Sequence, residues 1–182
     1  MEAIKNIKER RSIRRYIPKP VPADLLRQVV EAAAYAPSWT NSQTVSYLAL
    51  YDPEIRKRVD EKVAEVSPHN GEILKNVPLL VLQLSENGKS GIRRASGKPI
   101  REGMDQHWQS FDAGLSAEAF CLAAHDYGLG TLILGGYAED MIREVLELPE
   151  NMKISCLLAV GYPEVVPDAP KRKSAEELLQ TV

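Results

Sequence analysis

Four arginines in six residues, Arg10, Arg11, Arg14 and Arg15, surround Ser12 in the run Arg10-Arg11-Ser12-Ile13-Arg14-Arg15-Tyr16. Guanidinium groups present rigid, forked donors that match phosphate oxygens, and a neighbouring hydroxyl adds one more hydrogen bond. The cluster has the chemistry of an anion grip, with a solvated basic turn or a nucleic-acid patch as the alternatives. Three further places concentrate polar groups. Ala36-Pro37-Ser38-Trp39-Thr40-Asn41-Ser42-Gln43 is dense in donors and acceptors and includes a tryptophan suited to hold a planar heterocycle. A helix stop with local Ser and Asn caps has the same composition. Gly135 and Gly136 stand where the strand after Gly128-Leu129-Gly130 should end. Glycine there lets a ligand come close to backbone amides, although a tight turn is the plainer reading. Pro170-Lys171-Arg172-Lys173 is a basic run that solvation alone would explain.

Apolar spacing and breakers predict the elements that position these groups. Helices are expected over Ala3–Arg11, Asp24–Tyr35, Pro53–Val66, Asp105–Tyr127, Ala138–Leu146 and Ser174–Leu179. Strands are expected over Val45–Leu50, Val77–Leu84, Thr131–Leu134 and Ile154–Val160. Pro18, Pro20 and Pro22 force an extended linker after the arginines. Ser174 with Glu177 three residues on has the form of a capping box, and Gly128 that of a helix C-cap. Ser85–Glu102 is polar and broken by Gly88, Gly91, Gly97 and Pro99, as in a mobile loop or lid. The helix Asp105–Tyr127 is apolar or small on most sides between Ala113 and Ala124, so it should be buried on most sides, and a second subunit is the economical cover. Helices interleaved with about four strands make a layered α/β arrangement.

The 182 residues suit one domain, and 44% hydrophobic with 26% charged residues is a globular composition. A net charge of −2 argues against a nucleic-acid binder, which leaves the arginines to a small anion. Cys121 and Cys156 form no metal or disulfide pattern and fit a reducing, cytoplasmic setting. No metal site is expected from His69, His107 and His125. No secretion signal is evident, and no apolar run reaches membrane-spanning length. Gly128-Leu129-Gly130 lacks the third glycine of a dinucleotide fingerprint, and no Walker loop, nucleophile elbow or His-Glu-x-x-His helix is present.

Taken in order, the four polar places resemble the nitroreductase family of FMN-dependent oxidoreductases. The resemblance rests on Arg-Arg-Ser-x-Arg at 10–14, Ala-Pro-Ser-x-x-Asn-x-Gln at 36–43, Gly-Leu-Gly-Thr-x-x-x-Gly-Gly at 128–136 and Lys-x-Lys at 171–173. It implies one FMN-binding domain over 1–182 with an α+β fold, in which a central, mostly antiparallel sheet is flanked by helices. It also implies an interlocked homodimer with two FMN sites at its interface. By the same resemblance, Arg10 and Ser12 would grip the FMN phosphate with Lys171 and Lys173, and Arg11 would contact phosphate or ribityl. Arg14 would lie near the N1/O2 edge of the ring. Pro37, Ser38, Trp39 and Asn41 would reach across from the partner subunit, and Gly135 and Gly136 would bring an amide to N5. NADH or NADPH would be the co-substrate, and a nitroaromatic, quinone or related small molecule the electron acceptor, in a ping-pong cycle. No catalytic side chain is required, because the flavin carries the chemistry. The alternatives are another flavin reaction of this fold (dehalogenation, flavin breakdown or dehydrogenation) and a non-enzymatic FMN carrier. Two features depart from the family pattern: Lys173 stands where arginine is common, and Thr44-Val45 follows Gln43 where Pro-Trp is common.

Overall fold

The computed structural model describes residues 2–182. Its centre is an antiparallel sheet of β1 (Val45–Leu50), β2 (Leu79–Glu86), β6 (Met152–Gly161) and β5 (Gly130–Leu134), in that order across the sheet. β2 and β6 occupy the middle. β2 is buried along all but its last residue, so the apolar run without alternation is covered on both faces. On one face Leu80, Leu82 and Leu157 pack against Val59 and Val63 of α3 (Pro53–Val66), Leu74 of α4 (Pro68–Leu74) and Ile142 of α6 (Glu139–Leu146). On the other, Val81, Leu158 and Val160 meet Val29 of α2 (Ala23–Ala33) and Phe120 and Ala124 of α5 (Met104–Asp126). This is the mixed helix and antiparallel-sheet fold that the resemblance implied.

The four expected strands are present, although β2 starts two residues later than its apolar run and ends at Glu86. α4 was not expected. Its signals are local: Ser67 accepts the Asn70 N–H as N-cap, and Pro68 occupies the first turn. A two-stranded ribbon, β3 (Ile92–Arg93) with β4 (Lys98–Pro99), lies within the segment expected to be a loop. α5 ends in a Schellman motif. Gly128 at φ 77° lets Leu129 N–H reach Ala124 O at 2.8 Å and Gly128 N–H reach His125 O at 3.0 Å. α1 (Ala3–Glu9) docks on the end of α5 through Asn6, whose Nδ2 donates to Leu122 O at 3.0 Å and whose Oδ1 lies 2.6 Å from His125 Nδ1. One side of α5 is buried, but Phe111, Gly114 and Glu118 are exposed within the single chain. Among the described residues, no helix is long and apolar enough to cross a membrane.

The core beneath α5 holds titratable groups in their neutral forms. Burial pushes the Cys156 thiol up to about 12, with Cys121 nearby adding to the effect. Burial also raises Cys121 and the hydroxyl of Tyr16. In the unfolded chain these groups ionise at ordinary values, so their contribution is intact below those values and is lost as pH rises through them. Stability in urea should therefore fall above roughly pH 9, by about 1.4 kcal/mol per pH unit for each thiol. Cys156→Ala should flatten that fall, and a midpoint independent of pH between about 8 and 11 would contradict the assignment.

Candidate functional site

Beyond α1 the chain runs along the free edge of β5. Ser12 bridges to Thr131, Ile13 N–H donates to Thr131 O at 2.9 Å, and Ile17 N–H donates to Tyr162 O at 3.0 Å. Ile13 and Tyr16 are buried at 2% and 5% exposure, whereas Arg14 and Arg15 between them are exposed. The Tyr16 hydroxyl donates to Ile13 O at 2.7 Å and so fixes the bend. Gly130 and Gly161 make the approach possible. A Cβ on Gly130 would lie 2.5 Å from Ile13 Cγ1, and one on Gly161 would lie 2.8 Å from Tyr16 Cδ1.

The arginines are engaged differently. Arg10 Nε is buried and has no hydrogen-bond partner, and the Glu118 carboxylate is 3.7 Å away. Leaving a buried donor unsatisfied costs about 1–3 kcal/mol, more for a charged group, so this N–H is suited to an acceptor from outside the chain. The Ser12 hydroxyl, two residues on, makes no hydrogen bond among the described residues. Arg11 Nη1 donates to Lys8 O at 2.7 Å and Arg10 O at 2.8 Å, closing the C-terminus of α1. Arg14 Nη1 reaches Ser12 O at 3.4 Å and remains exposed, while Arg15 pairs with Glu164 at 2.9 Å.

The turn after α2 is held in a costly conformation. Thr40, Asn41 and Gln43 have φ of 43°, 56° and 49°, and a non-glycine residue there costs on the order of 1–3 kcal/mol. The support is Asp112 on α5, a carboxylate only 2% exposed. It accepts the Trp39 N–H at 2.9 and 3.1 Å, the Ser42 hydroxyl at 3.3 Å and the Ser90 hydroxyl at 2.6 Å. Ser38 Oγ accepts the Gln43 N–H at 3.1 Å. Sequence reasoning passed over Asp112; the available signal was a lone carboxylate beside the small, apolar half of a helix. Trp39 is half-buried, with its ring centroid 4.7 Å from that of Trp108. The indole N–H groups of both are buried without an acceptor. Pro37 and Asn41 on the same turn are exposed.

Gly135 and Gly136 follow the end of β5. A Cβ on Gly135 would meet nothing within 4 Å, so no contact inside the chain demands glycine there. A Cβ on Gly136 would lie 3.0 Å from Asn70 Nδ2, which donates to Gly136 O at 3.1 Å. Asn70 is a second residue the sequence reading did not select. Ser12 sits beside the second residue of β5 and Gly135 follows its last, so four residues, roughly 13 Å, separate them along one edge strand. Lys171 and Lys173 lie in an exposed tail, and their side chains make no hydrogen bond or ion pair among the described residues. The single chain thus brings the arginine segment and the glycine pair onto one edge, while the Trp39 turn stands elsewhere and the tail stands off. Among the described residues, no group of three or more His, Cys, Asp or Glu could hold a metal ion.

The α+β scaffold thus carries a buried Arg10 Nε without a hydrogen bond beside the edge of its sheet, and an aromatic turn bonded to its long central helix. The chain belongs to the nitroreductase family, whose model matches residues 7–162. It is similar to a Thermus thermophilus NADH dehydrogenase, 30% identical over 174 residues covering 85% of this chain and 83% of that one. It is also similar to a Bacillus subtilis FMN reductase (NAD(P)H), 29% identical over 170 residues, 89% of this chain and 66% of that one. Of the solved structures, a Desulfovibrio desulfuricans nitroreductase in complex with FMN is 25% identical with a TM-score of 0.79, and the match covers 100% of this chain and 98% of that one.

Replacing Asp112 with alanine would leave the Trp39 N–H and the Ser90 hydroxyl without their charged acceptor. The Asp112→Ala variant should lose about 2–3 kcal/mol in urea. The Trp39 amide should exchange with solvent much faster, and amide exchange at Trp39 as slow as in the unaltered protein would show that the turn is held by something else.

Proposed function

We propose that this chain is an FMN-dependent oxidoreductase that takes a hydride from NADH or NADPH and delivers it to a nitroaromatic, quinone or related acceptor. Donor and acceptor would occupy one slot in turn. The observation that carries this reading is the buried Nε of Arg10, which has no hydrogen-bond partner, two residues from a Ser12 hydroxyl that makes no hydrogen bond among the described residues, where the chain runs beside the edge strand that Gly135 follows. These groups fit FMN: a charged donor and a hydroxyl for the phosphate, and an open glycine where a ring edge must meet backbone. The FMN-containing relative and the reductases similar to this chain support the same assignment.

FMN, when bound, would supply the hydride-accepting and hydride-donating chemistry at its N5 atom. The residues of the chain position it and set the charge around it. Arg10 and Ser12 would hold the phosphate, joined by Lys171 and Lys173 if the tail folds over it, with Arg11 near the ribityl chain. Arg14, exposed and only loosely bonded to Ser12 O, is the cation available where negative charge develops at the ring's N1/O2 edge. The backbone at Gly135 and Gly136 would face N5. Pro37, Ser38, Trp39 and Asn41 would cover the other ring face.

The placement of these groups supports a homodimer. Arg10 approaches α5 at Glu118, whereas the Trp39 turn is bonded to Asp112. Six helical residues put the two about 9 Å and a third of a turn apart, on different sides of the helix. A ring touched by both is most simply shared between two copies, and half-exposed Phe111 and Ile133 supply apolar surface for that contact.

The purified protein should be yellow and bleach with NADH or NADPH. Arg10→Gln and Ser12→Ala should each retain roughly tenfold less FMN, as loss of one charge-assisted hydrogen bond predicts. Flavin released on denaturation and read by absorbance checks this. A colourless protein indifferent to added FMN, or a flavin-loaded one inert to both nucleotides, would overturn the proposal.

A further inference from the structure

Between Ile92 and Arg101 the chain carries Arg93, Arg94, Lys98 and Arg101 and no carboxylate. All four are exposed, and none pairs with a carboxylate among the described residues. Lys89, just before them, is by contrast neutralised by Glu86 at 2.6 Å. Such a run is ordinarily a solvated face. Here its anchoring argues otherwise.

The ribbon is fastened to the turn that carries Trp39. Ser90, at 2% exposure, donates to the same Asp112 carboxylate that accepts the Trp39 N–H. Arg94 Nη2 donates to Thr40 O at 3.1 Å, directly onto the strained turn. Gly91, at φ 71°, seats the ribbon on the first turn of α5, where a Cβ would lie 2.3 Å from Met104 O. The four cations are therefore held beside the candidate site by two bonded contacts and one close backbone approach. None of the four is held in an ion pair among the described residues.

We propose that this ribbon is the recognition element for the phosphates of the pyridine dinucleotide, with Arg93, Lys98 and Arg101 as specificity-determining residues that favour NADPH over NADH. The inference rests on the reading of the chain as an NAD(P)H-dependent FMN enzyme. Four unpaired cations spread over ten residues suit a ligand bearing several separated phosphate charges better than one bearing a single carboxylate. The ring of such a ligand would lie at the Trp39 turn and its phosphates beneath the ribbon. Arg94 would hold the ribbon to the turn while its remaining donors face outward.

The test compares the FMN-loaded protein with an Arg93→Gln/Lys98→Gln/Arg101→Gln variant, using NADPH and NADH with one uncharged quinone. The variant should keep its yellow colour and its kcat, while KM for NADPH rises roughly tenfold or more and KM for NADH rises less. In the unaltered protein, KM for NADPH should climb with added salt and KM for the quinone should not. A yellow variant with both nucleotide KM values unchanged overturns the proposal. So does a variant whose only change is a higher KM for a carboxylated acceptor, which would assign the cations to the acceptor. Loss of flavin from the variant would also overturn it, since the cations would then serve cofactor retention. If the unaltered protein binds no FMN, it is the underlying enzymatic reading that has failed.

Discussion

Gly130 and Gly161 face each other across β5 and β6, and the space left by their missing side chains is filled by Ile13 and Tyr16. The placement of the arginine segment follows from that contact. With the two apolar residues drawn down onto the sheet, Ser12 and Arg14 are turned away from it, and Arg10 is brought to α5. Glycine in a strand costs roughly 0.5–1 kcal/mol relative to alanine through lost chain freedom. Burying Ile13 and Tyr16 returns about 1.5–3 kcal/mol for a large apolar side chain, so the close approach is favourable overall. A methyl group at either glycine would lift the arginine segment off the edge strand without touching any arginine.

The same contact shows why part of the site was legible in the chain and part was not. The arginine run, the polar turn and the glycine pair declare themselves through residue types that packing does not require, and their order carries the family resemblance. The strands and most helices were legible because their apolar periodicity is local. Gly130 was weighed only within an incomplete dinucleotide fingerprint and the family motif, and its real neighbour, Ile13, lies 117 residues away in sequence. Asp112 was hidden for a similar reason. Nothing near it in sequence foretells that its partners are Trp39, Ser42 and Ser90, each contributed by a different stretch or turn position. α4 was missed although Ser67 and Pro68 announce it, because a seven-residue helix offers little periodicity to detect.

The expectation for α5 was also only partly met within one chain. Small residues do bury one side against the sheet and α2, but Phe111, Gly114 and Glu118 remain open. A helix with that composition gains little from solvent on its outer side, which is the physical pressure toward a second subunit. The glycine at 114 has no neighbour within 4 Å of where a Cβ would stand, so nothing inside the chain demands glycine there.

The two halves of the candidate site are prepared in opposite ways. At Arg10 a donor is left unsatisfied, so energy is stored in a bond not yet made. At the Trp39 turn three residues with positive φ are held in place by several bonds to one buried carboxylate. Strain of about 1–3 kcal/mol per residue is offset by charge-assisted hydrogen bonds of about 1.5–3 kcal/mol each, so the turn is rigid at little net cost. A rigid wall and a donor without a hydrogen bond both lower the free energy that ordering would otherwise consume when a ligand binds. That division suits a cofactor that must be gripped by its charged end while small molecules exchange over its other end. Under the proposed function the grip would gain from being strong because it need not release, and the wall from being stiff because what it faces would change with every turnover.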